Sequence, residues 1–507
     1  MDFTLSHQIQ EKLISCAYGS PPLSRQFLPL DAVDEPLIAE IYQKMTARRN
    51  TSQPLDQSPQ QSLWEWLWER AGSATEIPKP RHDLVGNPNG KQQETRRVIG
   101  LLGLCSYEDN AILDLLKDGL TDEYLPFEIK EAGGKKVKTL VSKKKGVFKS
   151  FSSWNPRDVN YFYLQQWNVL APKVITRGQH IDLDDSRIPL PIFDVAHIAT
   201  TLTSEVYSAQ LHAAHSPTSK NHHKVALKFF RGTKGLAPFK KEMQNLAEIH
   251  KLNHSHLIQH IATIQQGEMY CVIFDWADGG DLLSFWKRDP NVVQTRGPEL
   301  FGWCFQQMLG LVEALGSLHE KNCRHGDLKP ENILYFKTPV NYHPADGEYG
   351  RLVITDFGIS KLHKEATEHR KEGTFTKAST KDYEAPEVEL DKTERKARSR
   401  KYDMWSTGCI FLEFIIWLLY GQQTIDEFRG IRKRETDMAP YYILTNGCAE
   451  VNPAVSKWLK SLGEDPQCAQ DTRLGNLLSL IKNRLIQVDP ENRATAKELL
   501  GELRKIL

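Results

Sequence analysis

Eight consecutive residues, His325 to Asn332, constrain the fold of this chain more than any other feature of its sequence. They read H-G-D-L-K-P-E-N, and the triplet D-F-G follows at Asp356. Asp327, Asn332 and Asp356 supply two carboxylates and one amide, whose oxygens are the ligands that hard cations such as Mg²⁺ prefer. An Asp and an Asn at this spacing would be common by chance, whereas the full octet with its downstream triplet is not.

The octet resembles the catalytic loop of protein kinases, H-R-D-L-K-P-E-N, at all positions except Gly326, where most kinases carry Arg. The resemblance implies that Asp327 accepts or orients the proton of an attacking hydroxyl. It also implies that Lys329 offsets negative charge on the moving γ-phosphoryl group, and that Asn332 and Asp356 hold Mg²⁺ ions. Lysine at 329, followed by Pro and Glu, is typical of serine/threonine kinases rather than tyrosine kinases.

A second set of matches precedes the octet in the order that the family has. Lys228, in the β run V-A-L-K, resembles the strand lysine that contacts the α- and β-phosphates of ATP. Its carboxylate partner on the following helix is expected to be Glu242, in the form F-x-x-E, with Glu248 as the alternative. Phe274 to Ala277 resembles the hinge, where the carbonyl of Asp275 and the N–H of Ala277 would meet adenine.

Further matches extend the resemblance over about residues 190–507. The segment 380–387 resembles T-x-x-Y-x-A-P-E, which shapes the floor for the substrate, and its Glu387 is expected to pair with Arg493. The run 403–408, D-M-W-S-T-G, resembles the opening of the buried central helix. The apolar run from Cys409 to Tyr420 contains a glutamate and is too short to span a bilayer, so we expect a buried helix and no membrane span.

The glycine-rich loop is the main departure from the family pattern. Its L-G-x-G-x-x-G-x-V aligns with residues 198–206, which contain no glycine, so Ile198, Ala199 and Val206 would stand against the nucleotide. Glycine lets a backbone approach phosphate closely, and a side chain at a left-handed position costs roughly 1–2 kcal/mol. We expect weakened ATP binding or altered loop closure rather than abolished chemistry.

Gly326 is the second departure, and it bears on regulation. Kinases with Arg at this position commonly use it to bind a phosphorylated activation loop, which converts added charge into order. Phosphorylation of Thr374, Thr376 or Ser379 is therefore not expected to switch activity through that route.

Periodicity separates the chain into two halves. From about residue 190, short strands such as 225–230 and 270–274 precede long helical segments such as 311–319 and 494–507. This order predicts an α+β, bilobal fold with a small β-rich lobe and a large helical lobe. The resemblance to protein kinases implies that nucleotide would sit in the cleft between them. Residues 1–185 read as a mostly α-helical region with polar loops, three crowded tryptophans (Trp64, Trp66, Trp68) and a basic hairpin around Gly133 and Gly134.

Composition narrows the classes of partner and the cellular locations to be expected for this chain. The net charge of +1 gives no reason to expect nucleic-acid binding by the chain as a whole. Eight scattered cysteines without a C-x-x-C pair favour reduced thiols, and the N-terminus lacks a signal-peptide pattern, so a cytoplasmic or nuclear location is expected.

The leading interpretation is a serine/threonine protein kinase that uses ATP and Mg²⁺ to phosphorylate protein substrates. The alternative is a pseudokinase scaffold with weak or no catalysis, which the glycine-free loop favours. A small-molecule kinase is disfavoured by Pro330-Glu331 and by the A-P-E at 385–387. The whole arrangement also resembles the protein-kinase expansions of filamentous fungi, in which a helical N-terminal region, here a candidate partner-binding region, precedes the kinase domain.

Overall fold

The computed structural model describes residues 12, 14–15, 25–33, 95–105, 115, 118–132, 137–144, 146–200, 204–216, 221–230, 236–288, 297–337, 349–356, 361–362, 381–390, 399–433 and 438–507. The chain divides into two compact units. The first contains residues 1–200, 205–227 and 264–267, and the second contains residues 201–204, 228–263 and 268–507. The three crowded tryptophans and the three candidate phosphorylation sites lie outside the described residues.

The first unit contains both helices and strands. Up to residue 211 the elements are, in chain order, β1 (Ile14–Ser15), β2 (Gln26–Phe27), α1 (Arg96–Leu104), β3 (Phe127–Ala132), β4 (Val137–Ser142), β5 (Gly146–Val147), α2 (Pro156–Gln165), β6 (Gln179–Leu183), β7 (Ile192–Thr200) and β8 (Ser204–Leu211). Antiparallel β3 and β4 pair from Phe127 opposite Ser142 to Ala132 opposite Val137, as expected for the two strands of the predicted hairpin. Its turn, around residues 133–134, lies outside the described residues. The described part of residues 1–185 thus contains both strands and helices, whereas a mostly α-helical region with polar loops was predicted.

A group of aromatic side chains forms the core beneath this hairpin. Phe127 makes edge-to-face contacts with Phe148, Phe151 and Phe162, with ring centroids 5.7, 5.3 and 5.8 Å away. Buried Gln166 accepts a hydrogen bond from the backbone N–H of Phe127 (2.7 Å) and donates one to its carbonyl (3.0 Å). The side-chain amide of Gln166 therefore pairs the backbone N–H and C=O groups of Phe127, which the β-ladder leaves unpaired.

The middle of the chain supplies four further elements: β9 (His223–Phe230), α3 (Leu236–Leu252), β10 (His260–Gln266) and β11 (Met269–Asp275). The strand order of the resulting six-stranded sheet is β6-β10-β11-β9-β8-β7. The strands predicted at 225–230 and 270–274 are thereby confirmed. Along β9, Val225, Leu227 and Phe229 are buried on one face, so the alternation of a strand places Lys228 on the other.

The rest of the second unit is mainly helical. Its elements are α4 (Leu282–Lys287), α5 (Pro298–Glu320), β12 (Cys323–Arg324), β13 (Ile333–Phe336), β14 (Arg351–Ile354), β15 (Lys361–Leu362), α6 (Glu387–Leu390), α7 (Lys401–Tyr420), α8 (Gln422–Arg432), β16 (Tyr442–Thr445), β17 (Cys448–Val451), α9 (Pro453–Gly463), α10 (Arg473–Leu480) and α11 (Ala496–Ile506). Antiparallel β13 and β14 pair with Ile333 opposite Ile354.

Helix α7 forms the centre of this unit's core. Every residue from Tyr402 to Leu419 is buried, as expected for a helix that is apolar on all sides. Among the described residues, α7 is the one helix long and apolar enough to cross a membrane by length and composition, and its apolar window is wholly buried. The buried helix predicted for Cys409 to Tyr420 is confirmed.

Close packing of α5 gives a test of the fold that does not depend on function. A Cβ added at Gly310 would lie 2.1 Å from the ring of His256, which is itself held by a 2.7 Å hydrogen bond to the carbonyl of Leu352. We expect Gly310→Ala to lower the free energy of unfolding by about 1–3 kcal/mol, measured by urea denaturation.

The matched control is Gly302→Ala on the same helix, where an added Cβ meets nothing within 4 Å. It should raise stability by roughly 0.5–1 kcal/mol, because glycine is a poor helix former. Equal effects of the two substitutions would contradict the packing at Gly310.

Candidate active site

Lys228 lies between two carboxylates in the second unit. Its Nζ is 3.0 Å from Oε1 of Glu242 and 3.2 Å from Oδ1 of Asp356. Burial by itself lowers the pKa of Lys228, but the two carboxylates outweigh it, so the net pKa lies above the ordinary lysine value. Glu248, the alternative partner, instead pairs with Lys251 at 2.6 Å. The ammonium of Lys228 is therefore charged and fixed in position.

The sequence of α3 explains why Glu242 points inward. Its buried residues include Phe239, Leu246 and Ile249, and Glu242 recurs with them at helical spacing, so the carboxylate shares the apolar face. Phe239 stacks on Tyr270 of β11 with ring centroids 4.9 Å apart, which fixes the helix against the strand beside β9. A carboxylate on this face needs a cation, and Lys228 supplies one.

The catalytic-loop residues form a compact polar group. Nζ of Lys329 lies 3.2 Å from Oδ2 of Asp327. The Nδ2 of Asn332 donates to the carbonyl of Asp327 (2.7 Å) and to its Oδ2 (3.2 Å). Burial raises the pKa of Asp327 above the ordinary aspartate value, and the nearby Lys329 and His325 limit that rise. The carboxylate is thus oriented from two sides and is more basic than a typical aspartate.

The backbone just before Asp327 is held by a buried carboxylate on α7. Asp403 accepts hydrogen bonds from the backbone N–H groups of His325 (2.8 Å) and Gly326 (2.9 Å), and from Nε2 of His319 (2.8 Å). The ring of His325 contacts the carbonyl of Thr355 at 2.8 Å. Its Nδ1 accepts a hydrogen bond from the N–H of Asp327 at 3.3 Å, so both ring nitrogens contact the backbone and His325 packs the loop.

Asn332 and Asp356 lie near each other at the ends of paired strands. Ile333 stands opposite Ile354 in the β13–β14 ladder, and the N–H of Thr355 donates to the carbonyl of Asn332 at 2.9 Å. Asp356 has φ 60°, and half of its side chain is exposed (50%). The left-handed backbone turns the chain at the start of the D-F-G triplet, whose Phe357 and Gly358 lie outside the described residues.

This pair fits a divalent cation that is shared with a nucleotide. Asn332 and Asp356 offer amide and carboxylate oxygens, the donors that Mg²⁺ prefers. In the part of the chain that the structure describes, no group of three or more His, Cys, Asp or Glu side chains could hold a metal ion. A divalent cation held by Asn332 and Asp356 would take its other ligands from substrate phosphates and water.

The predicted hinge begins in the last two residues of β11 and continues beyond the strand. Asp275 is the last residue of that strand, and Asp275 and Ala277 are both partly buried. Just beyond them, the N–H of Gly279 donates to the carbonyl of Tyr335 (2.9 Å), where any Cβ at Gly279 would lie 2.3 Å from the same oxygen. Glycine is therefore required for the chain to pass this close to β13.

The three predicted loop residues lie on the β7–β8 hairpin. Ala199 is opposite Val206 in the ladder, and Ile198 is half exposed (51%). All three belong to the first unit, whereas Lys228, Glu242, Asp275, Ala277, Asp327, Lys329, Asn332 and Asp356 belong to the second. Residues 201–203 lie outside the described residues, so the role of this loop stays a prediction.

The sequence predicts Asp403 at the start of a buried helix, but it does not show which groups the carboxylate binds. The available signal was an acidic residue at the first turn of an otherwise apolar helix, since a fully buried charge must find partners. Which N–H groups it would find could not be read from the sequence, because they lie 77 and 78 positions earlier in the chain.

Comparisons with known proteins agree with this geometry. The sequence model of the protein kinase domain matches residues 212–503, more than half of the chain. The chain belongs to the protein kinase family. Membership confirms the predicted fold class, a β-sheet lobe and a helical lobe, and a protein kinase domain in general implies the use of ATP and a divalent cation.

Curated relatives are also kinases. A probable myosin light chain kinase of Dictyostelium discoideum is 27% identical over 251 residues, which cover 50% of this chain and 41% of the relative. A calcium/calmodulin-dependent protein kinase of Metarhizium anisopliae is 27% identical over 280 residues, or 55% and 60% of the two chains. The serine/threonine-protein kinase H1 homolog of Danio rerio is 26% identical over 255 residues, or 50% and 49%. The matches thus span about two to three fifths of these relatives' lengths.

The backbone at Gly326 gives a test of the catalytic loop. Gly326 has φ 82°, in the left-handed region that disfavours residues with a Cβ. We expect Gly326→Ala to lower the free energy of unfolding by roughly 1–2 kcal/mol in urea denaturation. Gly501→Ala on α11, where an added Cβ meets nothing within 4 Å, is the control and should not destabilise. Unchanged stability of Gly326→Ala would contradict the backbone geometry of the loop.

Proposed function

We propose that this chain is an active serine/threonine protein kinase that transfers the γ-phosphate of ATP to hydroxyl groups of protein substrates. The observation that carries this proposal is the oriented carboxylate of Asp327, which contacts both Lys329 and Asn332. The charged, fixed Lys228 beside Glu242 and Asp356 supports it further. The names of the relatives and the K-P-E at 329–331 favour serine and threonine as acceptors.

The residues divide the work of phosphoryl transfer. Asp327 accepts a hydrogen bond from the substrate hydroxyl and receives its proton as transfer proceeds. Asn332 keeps the Asp327 carboxylate oriented, and Lys329 places a positive charge beside it. Lys228 would contact the phosphates of ATP, and Asn332 and Asp356 would hold the divalent cation, for which we propose Mg²⁺. When bound, ATP would supply the phosphoryl group and the divalent cation would neutralise its charge.

The second candidate function is a pseudokinase scaffold, which the glycine-free loop at 198–206 favours. A scaffold has no chemical need for Lys228, Asp327, Lys329, Asn332 and Asp356 together, and the second unit holds them in two connected polar groups. This is the reason to prefer catalysis. We also propose a cytoplasmic or nuclear location and a protein partner for the region 1–185, both on sequence grounds alone.

Substitution of Asp327 tests catalysis directly. With the full chain, labelled Mg-ATP and mixed histones as acceptor, we expect Asp327→Asn to lower the transfer rate by roughly 10²- to 10⁴-fold, since the amide cannot take a proton. ATP affinity, measured by thermal shift, should change little. Equal incorporation by both proteins would remove the enzyme interpretation, and a wild type without transfer would favour the pseudokinase.

The raised pKa of Asp327 predicts the acidic limb of the pH–rate profile. Only the ionised carboxylate accepts a proton, so kcat should fall as pH falls through the pKa of Asp327. That limb should therefore lie at higher pH than for an ordinary aspartate.

Because Lys329 lowers the pKa of Asp327, Lys329→Met should move the limb to still higher pH, in addition to reducing kcat. The control is Lys457→Met, an exposed lysine on α9, which should leave the limb in place. A limb that moves to lower pH in Lys329→Met would contradict this electrostatic account.

A further inference from the structure

Residues 381–387, the segment whose sequence resembles the floor for the substrate, are anchored at three points in the second unit. One anchor is the bidentate pair of Glu387 with Arg493, whose two N···O distances are both 2.8 Å, as the sequence predicted. The other two anchors, at Asp382 and Tyr383, lead to a single helix, α8. No motif in the sequence of α8 predicts a contact with this segment.

Asp382 provides the first of these connections. Its side chain is only 3% exposed, and its Oδ1 accepts a hydrogen bond from the N–H of Ala439 at 2.8 Å. Its Oδ2 lies 2.9 Å from Nη2 of Arg429, whose side chain is 45% exposed. The carboxylate is thus buried in the fold, while its cation reaches it from the surface of α8.

Tyr383 provides the second connection through a buried carboxylate. Its hydroxyl donates to Oε2 of Glu413 at 2.7 Å, and Oε1 of the same carboxylate lies 3.1 Å from Nη2 of Arg432. Arg432 also donates to the carbonyl of Ala439 at 2.7 Å and stacks over the ring of Tyr441 at 3.9 Å. A chain of contacts therefore runs from the segment through α7 to α8.

The charges in this network match one to one. Asp382 faces Arg429, and Glu413 faces Arg432. The two arginines are three residues apart on α8, so they lie on neighbouring positions of one face. Burial raises the pKa of Glu413, and Arg432 opposes that rise by favouring the charged form. Removal of one partner would leave a buried charge, so the segment and the helix depend on each other.

We propose that Arg429 and Arg432 are positioning residues for the protein substrate: through Asp382 and Glu413 they hold residues 381–387 in the shape that receives it. The inference rests on the proposed kinase function and adds a determinant of substrate affinity that lies outside the catalytic loop. The arginines of α8 supply the cations for the two carboxylates that hold this segment, one from the surface and one from within the fold. They touch neither the nucleotide-contacting Lys228 nor Asp327, so their effect falls on the protein substrate.

Arg429 is the residue to vary, because its side chain is partly exposed and Asp382 would keep its hydrogen bond from the N–H of Ala439 without it. In the full chain, Arg429→Met should raise KM for mixed histones by about 3- to 10-fold, with KM for ATP unchanged. Arg429→Lys keeps the cation and should recover most of the affinity. Arg504→Met is the matched control, since Arg504 is also partly exposed (60%) and pairs with Glu313 at 2.7 Å elsewhere in the same unit.

A double-substitution cycle separates positioning from a general loss of stability. Asp382→Asn keeps the acceptor for the N–H of Ala439 but removes the charge that Arg429 faces. If the pair acts as a unit, Arg429→Met has no further effect on KM in the Asp382→Asn background. Additive effects, or equal changes in both KM values, would overturn the inference.

Amide hydrogen exchange shows separately whether α8 holds the segment. Residues 382–387 should exchange faster in Arg429→Met than in Arg504→Met. Unchanged exchange would overturn the claim that α8 holds this segment, even if the enzyme is active. Absence of transfer by the wild type would overturn the proposed function and with it the substrate role, whereas an active wild type with an unaffected Arg429→Met would overturn the inference alone.

Discussion

The buried carboxylate of Asp403 is the interaction on which the catalytic loop depends. It is fully buried and accepts hydrogen bonds from two consecutive backbone N–H groups, at His325 and Gly326, and from the ring of His319. Burial alone would raise its pKa, but these donors reverse the effect, so the pKa of Asp403 lies below its ordinary value and the group stays charged. The buried carboxylate of Asp403 thereby fixes the backbone just before Asp327, because movement of the loop would leave that carboxylate without its hydrogen-bond donors.

Much of the candidate site could be predicted from short sequence motifs. The form F-x-x-E favoured Glu242 over Glu248, and the structure pairs Glu242 with Lys228 and leaves Glu248 on Lys251. The pairing of Glu387 with Arg493, 106 residues apart, was also predictable, because both belong to motifs whose relation the family resemblance supplies. Strand alternation and apolar runs were sufficient for β9, β11 and α7, since burial imposes a strict period on such segments.

The features that could not be predicted depend on tertiary contact between segments without motifs. Nothing in the sequence around Arg429 and Arg432 distinguishes them from the other basic residues of 429–434, yet one is half exposed and the other buried. The sequence predicted a hairpin where strands β3 and β4 pair, but not the contact that stabilises it. The side chain of Gln166 hydrogen-bonds the backbone of Phe127 across 39 residues, and no local pattern encodes this contact. The positive φ of Gly326 explains in backbone terms why glycine suits a position where the sequence suggested only the loss of an arginine.

The ion pairs around Lys228 and Asp327 have a consequence for the thermodynamics of ligand binding. Two ammonium groups, those of Lys228 and Lys329, contact three carboxylates, those of Glu242, Asp356 and Asp327, so this set carries one net negative charge. A nucleotide triphosphate is itself a polyanion, and the bare site opposes its entry at short range. Nucleotide and divalent cation should therefore bind with positive linkage, each raising the affinity of the site for the other by the same factor.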